Sequence, residues 1–286
     1  MKRSVHCLQD NGPGLPEGID ILDREAAAAM AELEADDATP VMPKPPAASA
    51  YADTAAPSLK RPYTLDSGRA HADAVSILHT GGAAGADACF ASCAARAGHA
   101  VAVHTFHGHK PTIPPVVNLH VELRTMSLAQ AQHADRLLAE AGRSLGRPPT
   151  SSQSPFIQQL LRRNAQQALE ANTVYAMSDF LQTPPPQSSR WSPARGGVGI
   201  QGGTAWCSQV FVDILRKKGR VSGAIPLYFF AQTLACWWQA HLKGSPIPSI
   251  EWVRVQEVPR PAGAYAGVGA RKLLPLGAQA IEALFK

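Results

Sequence analysis

The chain has 286 residues, of which 45% are hydrophobic, and a formal net charge of +5. This length and composition suffice for one sizeable core plus a tail. The mild basicity suits an anionic ligand and does not require nucleic acid. The five cysteines include no Cys-x-x-Cys pair, which favours reduced thiols over a disulfide framework.

Nothing in the sequence is typical of a membrane or secreted protein. No apolar run reaches the roughly 18 residues that a membrane helix needs. Lys2 and Arg3 are not followed by the apolar segment of a secretory signal. We therefore expect a cytoplasmic protein with no membrane partner.

Residues 1–70 differ in composition from the rest of the chain. The stretch "PVMPKPPAASAYADTAAPSLKRP" is rich in Pro, Ala and Ser and has too few large apolar groups to offset the entropy of ordering. The earlier "IDILDREAAAAMAELEADD" favours a helix that would be marginal alone in water. The sequence predicts a disordered arm over residues 1–70 and one folded domain over residues 71–286.

From Ala74 onward, apolar runs of strand length alternate with helix patterns. The predicted strands are 74–78, 100–106, 173–178, 224–230 and 251–258. The predicted helices are 87–97, 127–146, 156–172, 204–219 and 271–285, the last interrupted near Pro275. This alternation implies right-handed crossovers and a mainly parallel sheet covered on both faces, which is an α/β fold.

Glycines follow the first predicted strand and precede the first predicted helix, in "SILHTGGAAGADACFASC". Ligands of parallel sheets bind at the carboxyl ends of the strands, where a helix N-terminus offers free N–H groups and partial positive charge. Glycine lets a phosphate approach the backbone closely. The stretch predicts a phosphate cradle, although glycine turns also serve packing.

The same pattern occurs twice more along the chain. "GGVGIQGGTAW" precedes the helix around 206–216, and "AYAGVGAR" precedes the final helix. We expect the three glycine turns to lie at strand-to-helix junctions on one edge of the sheet. Together they predict a site for a phosphate-bearing ligand.

Six motifs occur in an order that resembles the YpsA-related branch of the SLOG superfamily, over about residues 77–286. They are "HTGGAAGAD", "VHTFHGHKP", "LLRRNAQQALEANTVYAMS", "QGGTAWCSQ", "PLYFFAQTLACWW" and "AGVGAR" with "LGAQAIEALF". The superfamily is similar to the lysine-decarboxylase-like phosphoribohydrolases, the DNA-processing DprA proteins and the nucleotide-sensing domains of TRPM channels.

This resemblance implies a Rossmann-like three-layer sandwich and a nucleotide or nucleotide-derived ligand. It implies no cofactor, and a homodimer stays open because relatives of this fold often pair. The ligand-binding residues that it implies are Gly81, Gly82, Gly85 and Asp87 in the first loop, Arg163 and Asn164 on the middle helix, Gly202, Gly203 and Thr204 in the second loop, and Gly267, Gly269 and Arg271 in the last turn.

The chain departs from the phosphoribohydrolase pattern where catalysis would reside. Those enzymes resemble P-G-G-x-G-T-x-x-E with a catalytic glutamate, whereas "QGGTAWCSQ" has Gln209, which cannot act as a general base. Ala231 stands where relatives tend to carry aspartate, and Ala270 where Ser or Thr is usual. Binding or sensing is therefore favoured. The alternative is an N-glycosidic hydrolase acting on a nucleoside monophosphate or NAD-like substrate, with Asp87 as its carboxylate.

Two further groups of side chains permit more than one interpretation. Four histidines could form a zinc site, but without a nearby Cys or carboxylate we expect polar lining of a cleft and no metal; they are His79, His104, His107 and His109. The tryptophans could stack on a base or pack the core; they are Trp206, Trp237 and Trp238. Because the arginines form no obvious stripe, nucleic acid is not expected as a partner.

Overall fold

The computed structural model describes residues 76–112, 121–185, 187–194, 197–244 and 249–286. They belong to the second of the two units into which the chain divides, Gly68–Lys286. The predicted arm over residues 1–70 lies outside the described residues and stays a prediction.

The strands of the described residues form one nine-stranded sheet. They are β1 (Ile77–Thr80), β2 (Ala100–Thr105), β3 (Val121–Thr125), β4 (Thr173–Ser178), β5 (Arg190–Trp191), β6 (Gly223–Ala231), β7 (Cys236–Lys243), β8 (Ser249–Val255) and β9 (Ala264–Gly269). Their order is β3-β2-β1-β9-β4-β6-β7-β8-β5. Pairs from β3 to β6 are parallel, and pairs from β6 to β5 are antiparallel. The predicted α/β fold with a mainly parallel sheet is confirmed.

Local capping explains where several of the helices begin and end. The helices are α1 (Ala86–Arg96), α2 (Leu128–Leu145), α3 (Pro155–Glu170), α4 (Gly202–Lys217) and α5 (Pro275–Leu284). Ser127 and Gln130 form a capping box at the start of α2. Gly146 ends α2 in the left-handed conformation with φ 63°. Ser154 caps α3, and Pro155 occupies its first turn.

The final helix differs from its prediction. We expected a helix from 271 that is interrupted near Pro275, but Pro275 begins α5. Proline is favoured at the first helical position because the N–H group that it lacks would find no acceptor within the helix at that position. Residues 271–274 are therefore a connection between β9 and α5.

The helices pack in two groups. Helix α1 contacts α5, while α2, α3 and α4 contact one another. A buried cluster joins α1 and α5 to alternate residues of the strands, and it includes Leu78, Phe90, Tyr175, Tyr265 and Ile281. No helix of the described residues is both long and apolar enough to cross a bilayer.

Four strands were not predicted: β3, β5, β7 and β9, of which β5 lies in a stretch expected to be a loop. The "AYAGVG" of β9 was expected to be a glycine turn, yet it is a central strand between β1 and β4. A Cβ on Gly267 would lie 2.5 Å from Phe90 Cγ, and one on Gly269 would lie 2.5 Å from Ala86 Cβ. These glycines permit α1 to pack tightly on the sheet. Strand β7 pairs with β6 as a hairpin, and β3 forms one end of the sheet.

Candidate functional site

The carboxyl ends of β1, β9 and β4 lie side by side, because these strands are adjacent and parallel. The first glycine loop follows β1, the connection to α5 follows β9, and the chain leads from β4 toward α4. Hydrogen bonds tie the first two segments together: Gly269 N donates to Asp87 Oδ1 at 3.1 Å, and Ala86 N donates to the Ala270 carbonyl at 3.1 Å.

Two consecutive residues of α3 contact the first and second glycine loops. Arg163 Nη1 donates to the Gly81 carbonyl at 3.1 Å. Asn164 Nδ2 donates at 3.2 Å to the carbonyl of Gly203, which was predicted in the second loop and lies in the first turn of α4. The structure thus brings both loops to one edge of the sheet, with α3 between them.

Asp87 and Arg163 lie buried beneath this edge. Asp87 Oδ2 accepts a hydrogen bond from Ala83 N at 3.4 Å and lies 4.0 Å from Arg163 Nη2. Burial raises the pKa of Asp87, and Arg163 and the backbone N–H donors oppose that rise. Burial lowers the pKa of Arg163, and Asp87 opposes that fall. Asp87 is thus a buried carboxyl group that receives backbone N–H groups from both the first loop and β9.

The protein itself fills the space beside two glycines of the first loop. A Cβ on Gly81 would lie 2.4 Å from Arg163 Cζ. Gly85 has φ 85°, and a Cβ there would lie 2.1 Å from the Arg271 carbonyl oxygen. Both glycines permit close packing within the protein, which supports the packing interpretation of this loop. Gly82, with φ 65°, packs against Val103 and Pro111.

The N-terminus of α4 differs from the first loop. A Cβ on Gly202, where φ is 65°, would meet open space. The N-cap residue Gln201 makes no capping hydrogen bond, and the first turn has no acidic residue; the Gln201 side chain instead donates to the Phe180 carbonyl at 2.9 Å. Thr204 is buried within this turn. By contrast, Ser127 and Ser154 cap α2 and α3.

Arg147 adds a cation near this helix terminus and was not predicted from the sequence. Its Nη1 donates to the Gly202 carbonyl at 2.9 Å, and its guanidinium lies 5.8 Å from the Trp206 ring centroid. Burial lowers the pKa of Arg147 to about 10, which leaves it charged near neutral pH. No local signal in the sequence indicates this contact, because packing of α2 against α4 brings Arg147 to the α4 N-terminus.

The remaining predicted ligand-binding residues, those of the last glycine turn, lie in two different places. Gly267 and Gly269 lie inside β9 under α1, so the prediction that they form a strand-to-helix turn is wrong. Arg271 lies in the connection after β9, half-buried, and its charge lowers the pKa of Arg163.

Two glutamines near the expected carboxylate positions have structural partners. Gln209 is fully buried, and its Nε2 donates to Asp213 Oδ1 at 2.9 Å. Gln232 Oε1 accepts from Leu274 N at 2.8 Å, and its Nε2 donates to the Lys272 carbonyl at 3.2 Å. Gln232 therefore ties the end of β6 to the start of α5.

The histidines separate into two sets. His109 contacts Thr105 Oγ1 and Arg163 Nη1, each at 3.2 Å. His79 and His104 instead lie together with Glu170, the last residue of α3. This carboxylate was not among the residues predicted from the sequence. Glu170 follows Arg163 by two helical turns and so lies on the same helix face, which is the signal that could have found it.

The aromatic residues mostly pack the core. Trp238 and Trp206 are buried, and Trp238 packs edge-on against Phe180 at 5.5 Å between ring centroids. The Trp237 ring lies 5.3 Å from that of Phe230 and is half-buried. The packing interpretation accounts for these contacts.

Comparisons of the chain with models of protein families, with curated proteins and with solved structures find no match. The fold and the site define the class of protein. It is an α/β protein with a mostly parallel sheet, and glycine-rich segments and arginine side chains lie at the carboxyl edge of that sheet.

Proposed function

We propose that the protein binds a nucleotide or nucleotide-derived ligand and holds a phosphate group at the N-terminus of α4. The observation that carries this proposal is the open space at Gly202 above a first helical turn with neither a capping side chain nor an acidic residue. Such a turn presents unpaired N–H groups and the positive end of the helix dipole to an anion.

The second loop suits a phosphate better than the first. In the first loop, the Asp87 carboxylate accepts N–H groups from Ala83 and Gly269. A phosphate there would compete with that carboxylate and be repelled by it. Two cationic side chains lie near the second loop: Arg147 contacts the Gly202 carbonyl, and Arg163, which pairs with Asp87, adjoins Asn164.

The topology of the sheet supports this location. Strands β2 and β3 extend the sheet on one side of β1, whereas β4 leads to β6 on the other side. The strand order therefore reverses between β1 and β4, where β9 is inserted. Open α/β sheets bind ligands at such a switch point, outside the carboxyl ends of the strands.

The two helix groups fit a Rossmann-like three-layer sandwich, with α1 and α5 on one face and α2, α3 and α4 on the other. Leu78 packs toward α1 and α5, while the next residue, His79, contacts Glu170 on α3. Successive strand residues point to opposite faces. This arrangement agrees with the resemblance to the YpsA-related branch of the SLOG superfamily.

A second candidate function, cleavage of an N-glycosidic bond, depends on Asp87. Burial raises the pKa of this carboxyl group, as is common for a general acid. Its oxygens, however, already face the N–H groups of Ala83 and Gly269. Binding without cleavage is therefore the preferred function.

Native mass spectrometry of the purified protein tests the proposal. We expect either a co-purified mass that releases a phosphate-bearing compound on denaturation, or saturable one-site binding of AMP, ADP-ribose or NAD by calorimetry. Adenosine serves as the control, because it lacks the phosphate and should bind at least about tenfold more weakly. Equal affinity for adenosine and AMP, or no binding of any of these compounds together with no co-purified mass, would contradict it.

A further inference from the structure

Three side chains from separate elements converge below the first glycine loop. His79 Nδ1 on β1 lies 3.2 Å from His104 Nε2 on β2. The same His79 nitrogen lies 3.4 Å from Glu170 Oε2 at the end of α3. All three atoms lie within 4.8 Å of one another. Both histidines are buried, while Glu170 is partly exposed.

The two separations from His79 are close to those of a tetrahedral metal site. Zinc bonds to histidine nitrogen and carboxylate oxygen are about 2.0–2.2 Å long, so two ligand atoms at the tetrahedral angle lie about 3.3–3.5 Å apart. The two contacts of His79 fall near that spacing. A set of two imidazoles and one carboxylate, with one position left open, is also a known zinc ligand set.

Each member of the cluster can offer a lone pair to a cation, from an imidazole nitrogen of each histidine and from a carboxylate oxygen of Glu170. A single shared proton can bridge only two of the three ligand atoms at once, whereas a divalent cation contacts all three.

Neighbouring side chains hold the carboxylate in place. Gln166 Nε2 donates to Glu170 Oε1 at 2.6 Å, and the Arg124 guanidinium donates to Glu170 Oε2. Glu122 Oε2 accepts from Arg124 Nη2 at 2.8 Å, which offsets part of the positive charge beside the cluster. Such outer hydrogen bonds orient metal ligands.

We propose that His79, His104 and Glu170 bind one zinc ion that joins β1, β2 and the end of α3. Imidazole ligands select zinc over magnesium and calcium, which prefer all-oxygen sites. The site does not depend on the nucleotide proposal, because none of its ligands is among the residues at the N-terminus of α4.

Titration of the full chain with zinc tests this inference. The protein is stripped with a chelator, dialysed, and titrated with Zn²⁺ in the calorimeter and with Co²⁺ in the spectrophotometer. We expect a saturable site, visible ligand-field bands typical of tetrahedral Co²⁺, and a zinc-dependent rise in Tm. Magnesium should produce neither the heat nor the rise in Tm.

Variants test whether the measured zinc binding comes from the three proposed ligands. Glu170→Gln keeps the shape of a partly exposed side chain, and His104→Gln removes an imidazole; each should weaken zinc binding by about 100-fold or more. His109→Gln is the matched control, since His109 is a neighbouring histidine outside the cluster, and it should bind like wild type. Circular dichroism verifies folding. Absence of saturable binding in wild type, or unchanged zinc affinity in folded Glu170→Gln, would overturn the proposal.

Discussion

Arg163 Nη2 lies 4.0 Å from Asp87 Oδ2 in a buried ion pair that joins α3 to the start of α1. Arg163 also holds the Gly81 carbonyl, and Asp87 holds the Gly269 N–H group. The pair therefore connects three of the segments that form the carboxyl edge of the sheet.

We expect Asp87→Ala to lower the free energy of unfolding by about 3–5 kcal/mol, because it leaves Arg163 buried without its counter-charge. Urea unfolding measures the loss. The matched control is Asp135→Ala, which breaks the more exposed pair with Arg162 and should cost about 0–1 kcal/mol. Similar losses in the two variants would show that burial of the Asp87 pair has no energetic consequence.

Gly267→Ala should destabilise the protein by about 1–3 kcal/mol, because its methyl group would overlap Phe90. Gly244→Ala is the control, since the nearest atom to its new Cβ, outside the adjacent residues, would be 4.0 Å away; it should change stability by about 0.5 kcal/mol or less. Thermal unfolding measures both. A Gly267→Ala variant as stable as wild type would contradict the packing role of this glycine.

His99 should make stability depend on pH. Its Nδ1 lies 2.8 Å from Tyr265 Oη, and burial lowers its pKa. The unfolded chain then binds the proton more readily, so this contribution to stability is complete above about pH 6.5 and declines as the pH falls below it. In urea unfolding, the difference between wild type and His99→Gln should be smaller at pH 5.5 than at pH 7.5. A stability difference that stays constant across this pH range would contradict the pH dependence assigned to His99.

The elements predicted most accurately from the sequence are those whose boundaries are marked by neighbouring residues. Strand 173–178 is confirmed at both ends, because an apolar run is bounded by polar residues. The end of α2 at Gly146 is confirmed, because glycine readily adopts the left-handed conformation that the cap requires. Capping and periodicity act within a few residues and so can be identified from sequence alone.

The elements that were missed depend on distant partners. The glycines of β9 indicated a turn, and only the approach of Phe90 and Ala86 from α1 explains why a strand needs them. Likewise, the contact of Glu170 with His79 spans 91 residues of sequence. The motifs placed Arg163 and Asn164 on one helix, but not which loop each contacts. Such information requires the packed sheet.

Incubation with nucleoside monophosphates should release little or no free base. Cleavage needs a group that stabilises positive charge at C1′ and one that activates water. Gln209 is buried and bonded to Asp213, and the oxygens of Asp87 face backbone N–H groups. Chromatography of a long incubation measures the base. Steady release that disappears in a folded Asp87→Asn variant would establish the hydrolase alternative.

Calorimetric titration of wild type and Gly203→Asp with AMP, ADP-ribose and NAD tests the phosphate site most directly. Gly244→Asp is the control, because its new Cβ would lie 4.0 Å from the Val221 carbonyl oxygen, beyond the C-terminal end of α4. We predict that Gly203→Asp weakens binding by about tenfold or more through repulsion at the helix N-terminus, while Gly244→Asp binds like wild type. Equal affinity of wild type and folded Gly203→Asp would remove the α4 N-terminus from the ligand site and contradict the account.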